Sequence, residues 1–273
     1  MWSDGRNDCR LHTRGKARFL FHDTESIECL QKVILDNVIQ VNVHEADYAL
    51  ARLENIAQRS CEDSSVCPNL DTYTRVLDAW VQHQEQVDEG PNQVNEMFQA
   101  ADHAHKILEK LQRKSSEQAD SNNGAFMPTQ HHYDAVLRAW LNVTRAMLQA
   151  ETPLRGIPQR AQRILEQMEE QEDVEPSIDH YNAVLETWGN SPEHLRATMA
   201  EKLFDKLKDR ITPTNETYLI LIRAWCRSKQ DRAAFNATGH LMKMHRKMGQ
   251  GDKGVEIIMD DYHTILEAWT RAA

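Results

Sequence analysis

The sequence is short of residues that break, staple or anchor a chain. Its 273 residues include 10 glycines, 8 prolines and 5 cysteines. Cys9, Cys29, Cys61, Cys67 and Cys226 are odd in number and scattered, which excludes a disulfide framework and fits a reducing compartment. A bridge between Cys61 and Cys67, which flank one Ser/Asp loop, is the single local pairing left open. No apolar run approaches the about 20 residues needed to span a bilayer. Residues 1–20 hold Asp4 and Asp8 and lack an apolar centre, so they are not a secretory signal and make a poor transit peptide. No glycine-rich phosphate loop, Ser/His/Asp arrangement or strand-borne nucleophile is present, so neither an enzyme nor a cofactor is expected. The 13 histidines include the pairs His103/His105 and His131/His132, and neither has a further ligand at metal-binding spacing.

Positive charge is also in deficit, with 32 Lys and Arg against 42 Asp and Glu. The balance is uneven along the chain. Residues 1–20 carry five basic and two acidic side chains, residues 21–200 carry 14 and 30, and residues 201–273 carry 13 and 10. An acidic total argues against nucleic acid as partner, and the last third is the one part of the body that leaves room for it.

What the sequence does hold is repetition. Pro68 leads to Tyr73, Leu77 and Trp80; Pro128 to Tyr133, Leu137 and Trp140; Pro176 to Tyr181, Leu185 and Trp188. Pro213 leads to Tyr218, Ile222 and Trp225, and a fifth copy runs from Ile257 to Tyr262, Leu266 and Trp269. Five of six Trp and five of six Tyr lie in this pattern, whose offsets of 0, 4 and 7 mark one stripe of a helix. Proline fixes a non-helical approach, and Asp71, Asp179, Glu216 and Asp260 stand where a carboxylate caps or faces the helix N-terminus. Each copy is followed by a second stripe led by alanine: Ala104, Ile107, Leu108, Leu111; Ala161, Ile164, Leu165, Met168; Ala200, Leu203, Phe204, Leu207. Looser versions hold Ala49, Leu53 and Ile56, and Ala237, Leu241 and Met244. One such helix cannot bury its own stripe, whereas stacked pairs can. The pattern therefore predicts an all-α, right-handed solenoid of five to six antiparallel helix pairs with the Tyr, Leu/Ile and Trp stripe buried.

Residues 1–24 are read as a weakly ordered segment and 25–273 as the array. Its units are a degenerate repeat at 25–60, led by Leu30, Val33, Ile34 and Val38, then 69–127, 129–175, 177–212, 214–256 and a half repeat at 258–273. Helices are expected near 70–84, 94–114, 130–149, 158–171, 179–190, 193–209, 215–228, 231–248 and 259–272, with a polar linker at 115–127. The last helix stops four residues after its Trp, and the array is read as open to extension within a longer protein.

These residues resemble the pentatricopeptide repeat family, closest at Ala224-Trp225-Cys226-Arg227-Ser228 and at Ala200 to Leu207. The resemblance covers about residues 68–273. It implies single-stranded RNA bound in the groove of the first helices, one base per repeat, and a mitochondrial or chloroplast location, with the cytoplasm otherwise. It also implies that the residue after the tyrosine and the one after the next proline choose the base. Here these are Thr74 with Thr129, Asp134 with Ser177, Asn182 with Thr214, and Leu219 with Ile258. Asn182 with Thr214 resembles a pyrimidine-favouring pair. Arg227 and Arg271 match the family's phosphate-facing basic place, and Arg138 and Arg223 precede the Trp by two. Asn182, Thr214, Arg223, Arg227 and Arg271 thus gather in the C-terminal part of the groove.

One departure is marked. Where the family keeps an aliphatic residue that sandwiches bases, this chain has Asp71, His131, Asp179, Glu216 and Asp260. Carboxylates neither stack on bases nor favour phosphates. Two functions follow: a non-catalytic single-stranded RNA binder, or a scaffold that takes a basic protein or peptide in the same groove. The turns 84–93, 115–127, 150–157 and 249–254 lack apolar periodicity, so limited proteolysis should cut there first. Preferential cutting inside 200–208 would contradict the repeat scheme.

Overall fold

The computed structural model describes residue 31 and residues 43–59, 68–117, 126–171, 173–230, 232–248 and 259–272. The segment 1–24, the stripe Leu30 to Val38, residues 60–67, 118–125 and 249–254, and Ile258 lie outside the described residues. Among those described, the secondary structure is helical throughout. In order the helices are α1 (Val43–Arg59), α2 (Leu70–Glu85), α3 (Gln93–Glu117), α4 (Gln130–Ala150), α5 (Ile157–Glu170), α6 (Ile178–Asn190), α7 (Arg196–Lys208), α8 (Asn215–Arg227), α9 (Ala233–Met248) and α10 (Met259–Ala272).

Most boundaries fall within two residues of the sequence reading, and two differ for physical reasons. Helix α3 takes in residues 115–117 of the expected linker, where the Ser116 hydroxyl donates to the Arg113 carbonyl at 2.7 Å. Helix α7 starts at Arg196 and not near 193. Glu193 is held outside it, accepting from the Gln159 amide at 2.8 and 2.7 Å.

The chain divides into two compact units, residues 1–86 with 103–127, and residues 87–102 with 128–273. In the first, α1 packs on α2. Ala46, Ala49, Leu50 and Leu53 of α1, and Tyr73, Leu77 and Trp80 of α2, are buried. The Tyr73 hydroxyl donates to Glu54 at 2.7 Å, and the Trp80 ring stacks on His103 at 4.2 Å.

The second unit is a helical-repeat solenoid. First helices α4, α6, α8 and α10 pack in sequence against one another, and α5, α7 and α9 each join the first helices on both sides of them. The predicted stripe is the core: Tyr133, Leu137, Trp140, Tyr181, Leu185, Trp188, Tyr218, Ile222 and Trp225 are all buried. So are the alanine-led stripes, with Ala161, Ala200 and Ala237 at 0% exposure where two helices meet closely. Helices α6 and α8 come closer still: a Cβ on Gly189 would stand 3.0 Å from that of Ala224.

Polar rungs tie α6, α8 and α10 each to the second helix before it, whereas Tyr133 of α4 donates to Gln171 at the end of α5. Tyr181 donates its hydroxyl to Glu169 at 2.6 Å and Trp188 its indole N–H to Gln162 at 3.0 Å. The Trp225 indole donates to Glu201 at 2.9 Å, and Lys208 acts on Tyr218 electrostatically. Trp269 donates to Thr238 at 3.0 Å, and the Tyr262 hydroxyl meets His245 at 3.0 Å. In all three pairs the rungs are seven residues apart on both helices and run in opposite directions, so the helices are antiparallel and in constant register. Burial and the Glu169 bond push the Tyr181 phenol up to about 12. Burial opposes ionisation of Glu201, but the bonds from His240 and Trp225 outweigh it and hold the carboxyl below its ordinary value.

The fifth copy departs from the other four. Leu266 is 62% exposed and Trp269 45%. Among the described residues α10 packs on α8 and α9, and the face that a following second helix covers in α4, α6 and α8 is open. Trp188→Ala should therefore cost about 3–5 kcal/mol in urea unfolding, and Trp269→Ala no more than about 1–2 kcal/mol. Equal losses would contradict this account of the stripe.

Candidate nucleic-acid interface

The first helices of the second unit run parallel with their ends aligned. Arg227, the last residue of α8, donates from Nη1 to Asn190 Oδ1, the last residue of α6, at 2.7 Å. Arg145 of α4 makes a bidentate pair with Glu186 of α6, both bonds 2.7 Å, which holds its guanidinium above the ordinary value. The candidate site therefore has two edges, one at the N-terminal and one at the C-terminal ends of these helices.

The N-terminal edge is built by proline followed by a cap. Pro128, Pro176 and Pro213 each precede an extended residue, Thr129, Ser177 or Thr214, which closes a reciprocal capping box with the residue three further on. The Thr129 N–H donates to His132 Nδ1 at 3.0 Å, the Ser177 N–H to His180 Nδ1 at 2.9 Å, and the Thr214 N–H to the Thr217 hydroxyl at 3.2 Å. Asn69 caps α2 of the first unit in the same place, its Oδ1 accepting from the Thr72 N–H at 2.9 Å. The caps are these residues. The carboxylates Asp71, Asp179 and Glu216 sit in the first turn and face the helix dipole instead. Spacings such as Thr-x-x-His and Ser-x-x-His were readable in sequence as variants of the capping box, and they were missed.

The residues carried over from the family find different settings. Asn182 is buried, and its Oδ1 has no hydrogen-bond partner. Asn215, next to Thr214, is buried with both amide atoms unpartnered, and sequence reasoning did not single it out. Thr214 is exposed but engaged in its cap. Asp134 pairs with Arg138 of its own helix at 3.5 Å. In the first unit, Thr74 donates to the Leu70 carbonyl at 2.8 Å.

His180 lies at this edge, in the first turn of α6. Its Nδ1 accepts from the Ser177 N–H, so the ring proton sits on Nε2, which has no partner. Burial pushes its pKa down, against Asp134 of α4 and Asp179 of its own helix, which both favour the cation.

The C-terminal edge is basic. Arg223 and Arg227 lie one turn apart on α8, and burial pushes Arg227 below its ordinary value, helped by Arg223. Arg271 of α10 donates to the Cys226 carbonyl in the last turn of α8 and to the Glu267 carbonyl at 3.3 Å. Arg196, missed by sequence reasoning, donates to the Ser191 carbonyl at 2.8 Å and feels Arg227. The predicted residues thus form two sets. Thr214 is the N-cap and Arg227 the last of the 13 residues of α8, about 20 Å apart along its axis. Arg138 is an exposed arginine paired locally. Among the described residues no group of three or more His, Cys, Asp or Glu side chains could hold one metal ion, and no helix is long and apolar enough to cross a membrane.

Residues 147–191, from the last turn of α4 through α5 and α6, match the family model described as the pentatricopeptide repeat domain. No curated protein matches the chain. The match includes Pro176, Tyr181 and Trp188, so one copy of the stripe, with α5 and α6, is similar to a pentatricopeptide repeat.

The His180 cap generates a pH dependence. The folded-state pKa lies below the ordinary value, so the unfolded chain takes up the proton first. Its contribution to stability is complete above about pH 6.5 and is lost as pH falls below that, with a slope of at most about 1.4 kcal/mol per pH unit. His180→Gln keeps a capping acceptor and should flatten this slope when urea midpoints are compared at pH 7.5 and 5.5. An unchanged slope would remove His180 from the account.

Proposed function

We propose that this chain is a non-catalytic repeat protein that binds single-stranded RNA along α4, α6 and α8, in organellar RNA metabolism. The observation that carries this reading is the arginine edge. In a chain of net charge −10, Arg223, Arg227 and Arg196 gather at the C-terminal ends of the first helices, where burial lowers Arg227 and Arg196 and a neighbouring arginine adds to each. Arg227 has a neutral hydrogen-bond partner in Asn190, and a carboxylate acting on it, Glu186, is already paired with Arg145. Partly desolvated cations such as Arg196 and Arg227 are what a phosphate backbone satisfies. At the other edge, Asn182 Oδ1 and both amide atoms of Asn215 are buried without a hydrogen-bond partner, and a base that reached them would satisfy them. The pentatricopeptide repeat over 147–191 supports the same class of partner.

A second reading, a scaffold for a basic peptide, is favoured by the exposed carboxylates of Asp179 and Glu216 at the N-terminal edge. The two separate in one experiment. Filter binding of a random single-stranded RNA at several salt concentrations should give a salt-sensitive affinity. Arg223→Gln with Arg227→Gln should weaken it and lower the salt slope by about 1.4, at about 0.7 per phosphate contact for single strands. Glutamine keeps a donor for Asn190, so the fold is retained. Absence of salt-sensitive binding in the parent would favour the scaffold.

A further inference from the structure

A cavity of about 740 Å³ opens beside the arginine edge, between the end of α4, the α6–α7 turn and the residue pair that follows α8. Its walls divide by chemistry. Leu148, Pro153 and Pro192 give an apolar side, and all three are exposed. Asn190, Arg196 and Lys229 give the polar side.

The cations here are unusually placed. Arg196 is half-buried; one guanidinium nitrogen is spent on the Ser191 carbonyl, and its Nε is buried with no partner. No carboxylate pairs with it or with Lys229 among the described residues. Arg227 stands behind Asn190, holding its Oδ1 and so turning the Asn190 amide N–H₂ away from itself. Burial lowers the pKa of both arginines, and Arg196 is lowered further by Arg227. Glu151, the last residue of the α4 end and in a left-handed conformation at φ 51, is the one carboxylate on the wall. Arg196 and Lys229 are the lining cations, and neither is paired with Glu151, so two unpaired positive charges face the cavity, and a phosphate monoester carries about two negative charges at neutral pH. A helix favours negative charge at its N-terminus, and Arg196 is the first residue of α7, so the helix does nothing to stabilise it there.

We infer that this cavity binds a nucleotide through a terminal phosphate monoester, with Arg196 and Lys229 on the phosphate and Leu148, Pro153 and Pro192 against the base. The nucleotide is either the end of a bound RNA strand or a free mononucleotide. In the first case the inference rests on the RNA reading above, and in the second it does not. An internal phosphodiester carries one charge and would leave the second cation unmatched.

The test uses the full chain and calorimetric titration with AMP, adenosine and inorganic phosphate. AMP should bind at least about tenfold more tightly than adenosine, in keeping with charge-assisted bonds to the phosphate. Arg196→Gln and Lys229→Gln should each weaken AMP about tenfold or more. Lys229 is exposed, so its variant keeps the test valid if Arg196→Gln does not fold. The source is then separated with a 12-nucleotide RNA carrying phosphate at its 5′ end, at its 3′ end or at neither. If the strand end is the ligand, one phosphorylated form binds several-fold more tightly than the unphosphorylated strand, and AMP removes that advantage. If a free nucleotide is the ligand, the three strands bind alike while AMP still binds. AMP binding no better than adenosine, or unaffected by both substitutions, overturns the inference. Salt-sensitive binding of the unphosphorylated strand reports on the RNA reading alone, so the two fail independently.

Discussion

The second unit depends on the clasp that holds α6, α8 and α10 each to the second helix before it. Tyrosine and tryptophan, seven residues apart, put two large rings on one edge of a helix and leave each ring one polar atom. In α6 and α10 both atoms reach side chains that are themselves seven apart on an antiparallel neighbour, Glu169 and Gln162, His245 and Thr238; in α8 the indole reaches Glu201, and Lys208, seven residues on, acts on Tyr218 through its charge. The apolar area supplies the free energy, and the polar ends set the register. A buried indole N–H left without a partner costs about 1–3 kcal/mol, so a slip of one residue is opposed twice in each clasp. The first unit solves the same problem differently. Tyr73 reaches Glu54, while Trp80 is stacked on His103, and His103 is held at 3.3 Å by Asp47, seven residues before Glu54. The spacing survives even where the direct bond does not.

Constant register has a consequence for the surface. Because each first helix is seated at the same height on its neighbour, α4, α6 and α8 bring their caps to one edge and their last turns to the other. Carboxylates then gather at the N-terminal edge and arginines at the C-terminal edge, where the helix dipoles favour each. That sorting needs no ligand. Arg271 illustrates it, since its bonds to the Cys226 and Glu267 carbonyls are those of a residue that satisfies helix ends. Charge alone is therefore a weak guide to the site here. Desolvation without a compensating carboxylate is a stronger one, and it singles out Arg196 and Arg227.

The sequence made the helices legible because their stripes recur at fixed offsets, and proline marks every entry but the last. Burial of the Tyr, Leu/Ile and Trp positions followed from the same offsets in four copies. What stayed hidden has a common cause. The rung partners are Glu, Gln, Lys, His and Thr, since any side chain with a suitable polar atom can take the place, so no residue type recurs to be seen. The carboxylates were left as either caps or first-turn residues facing the dipole, because the two look alike until the backbone shows which residue is extended. The openness of Leu266 and Trp269 was equally invisible, because it depends on what packs against α10 and not on α10 itself. For the site, three of the proline-adjacent positions serve as caps, which a motif cannot reveal.

That double use bears on how such a surface could read a base. Thr129, Ser177 and Thr214 are committed to their helices, and removing one oxygen from a cap costs about 1 kcal/mol of stability. A cap hydroxyl that also contacted a base would have to keep its helix bond or give up that energy on binding. Asn182 Oδ1 and both amide atoms of Asn215 face no such conflict, because they have no protein partner to lose. Burial makes those amides costly in the free protein and correspondingly rewarding to satisfy, which is the energetic pattern of a recognition group rather than of a structural one. On the RNA reading, discrimination at this edge would rest more on the two asparagines than on the hydroxyl residues beside them, with the phosphate contacts at the opposite edge, a helix length away.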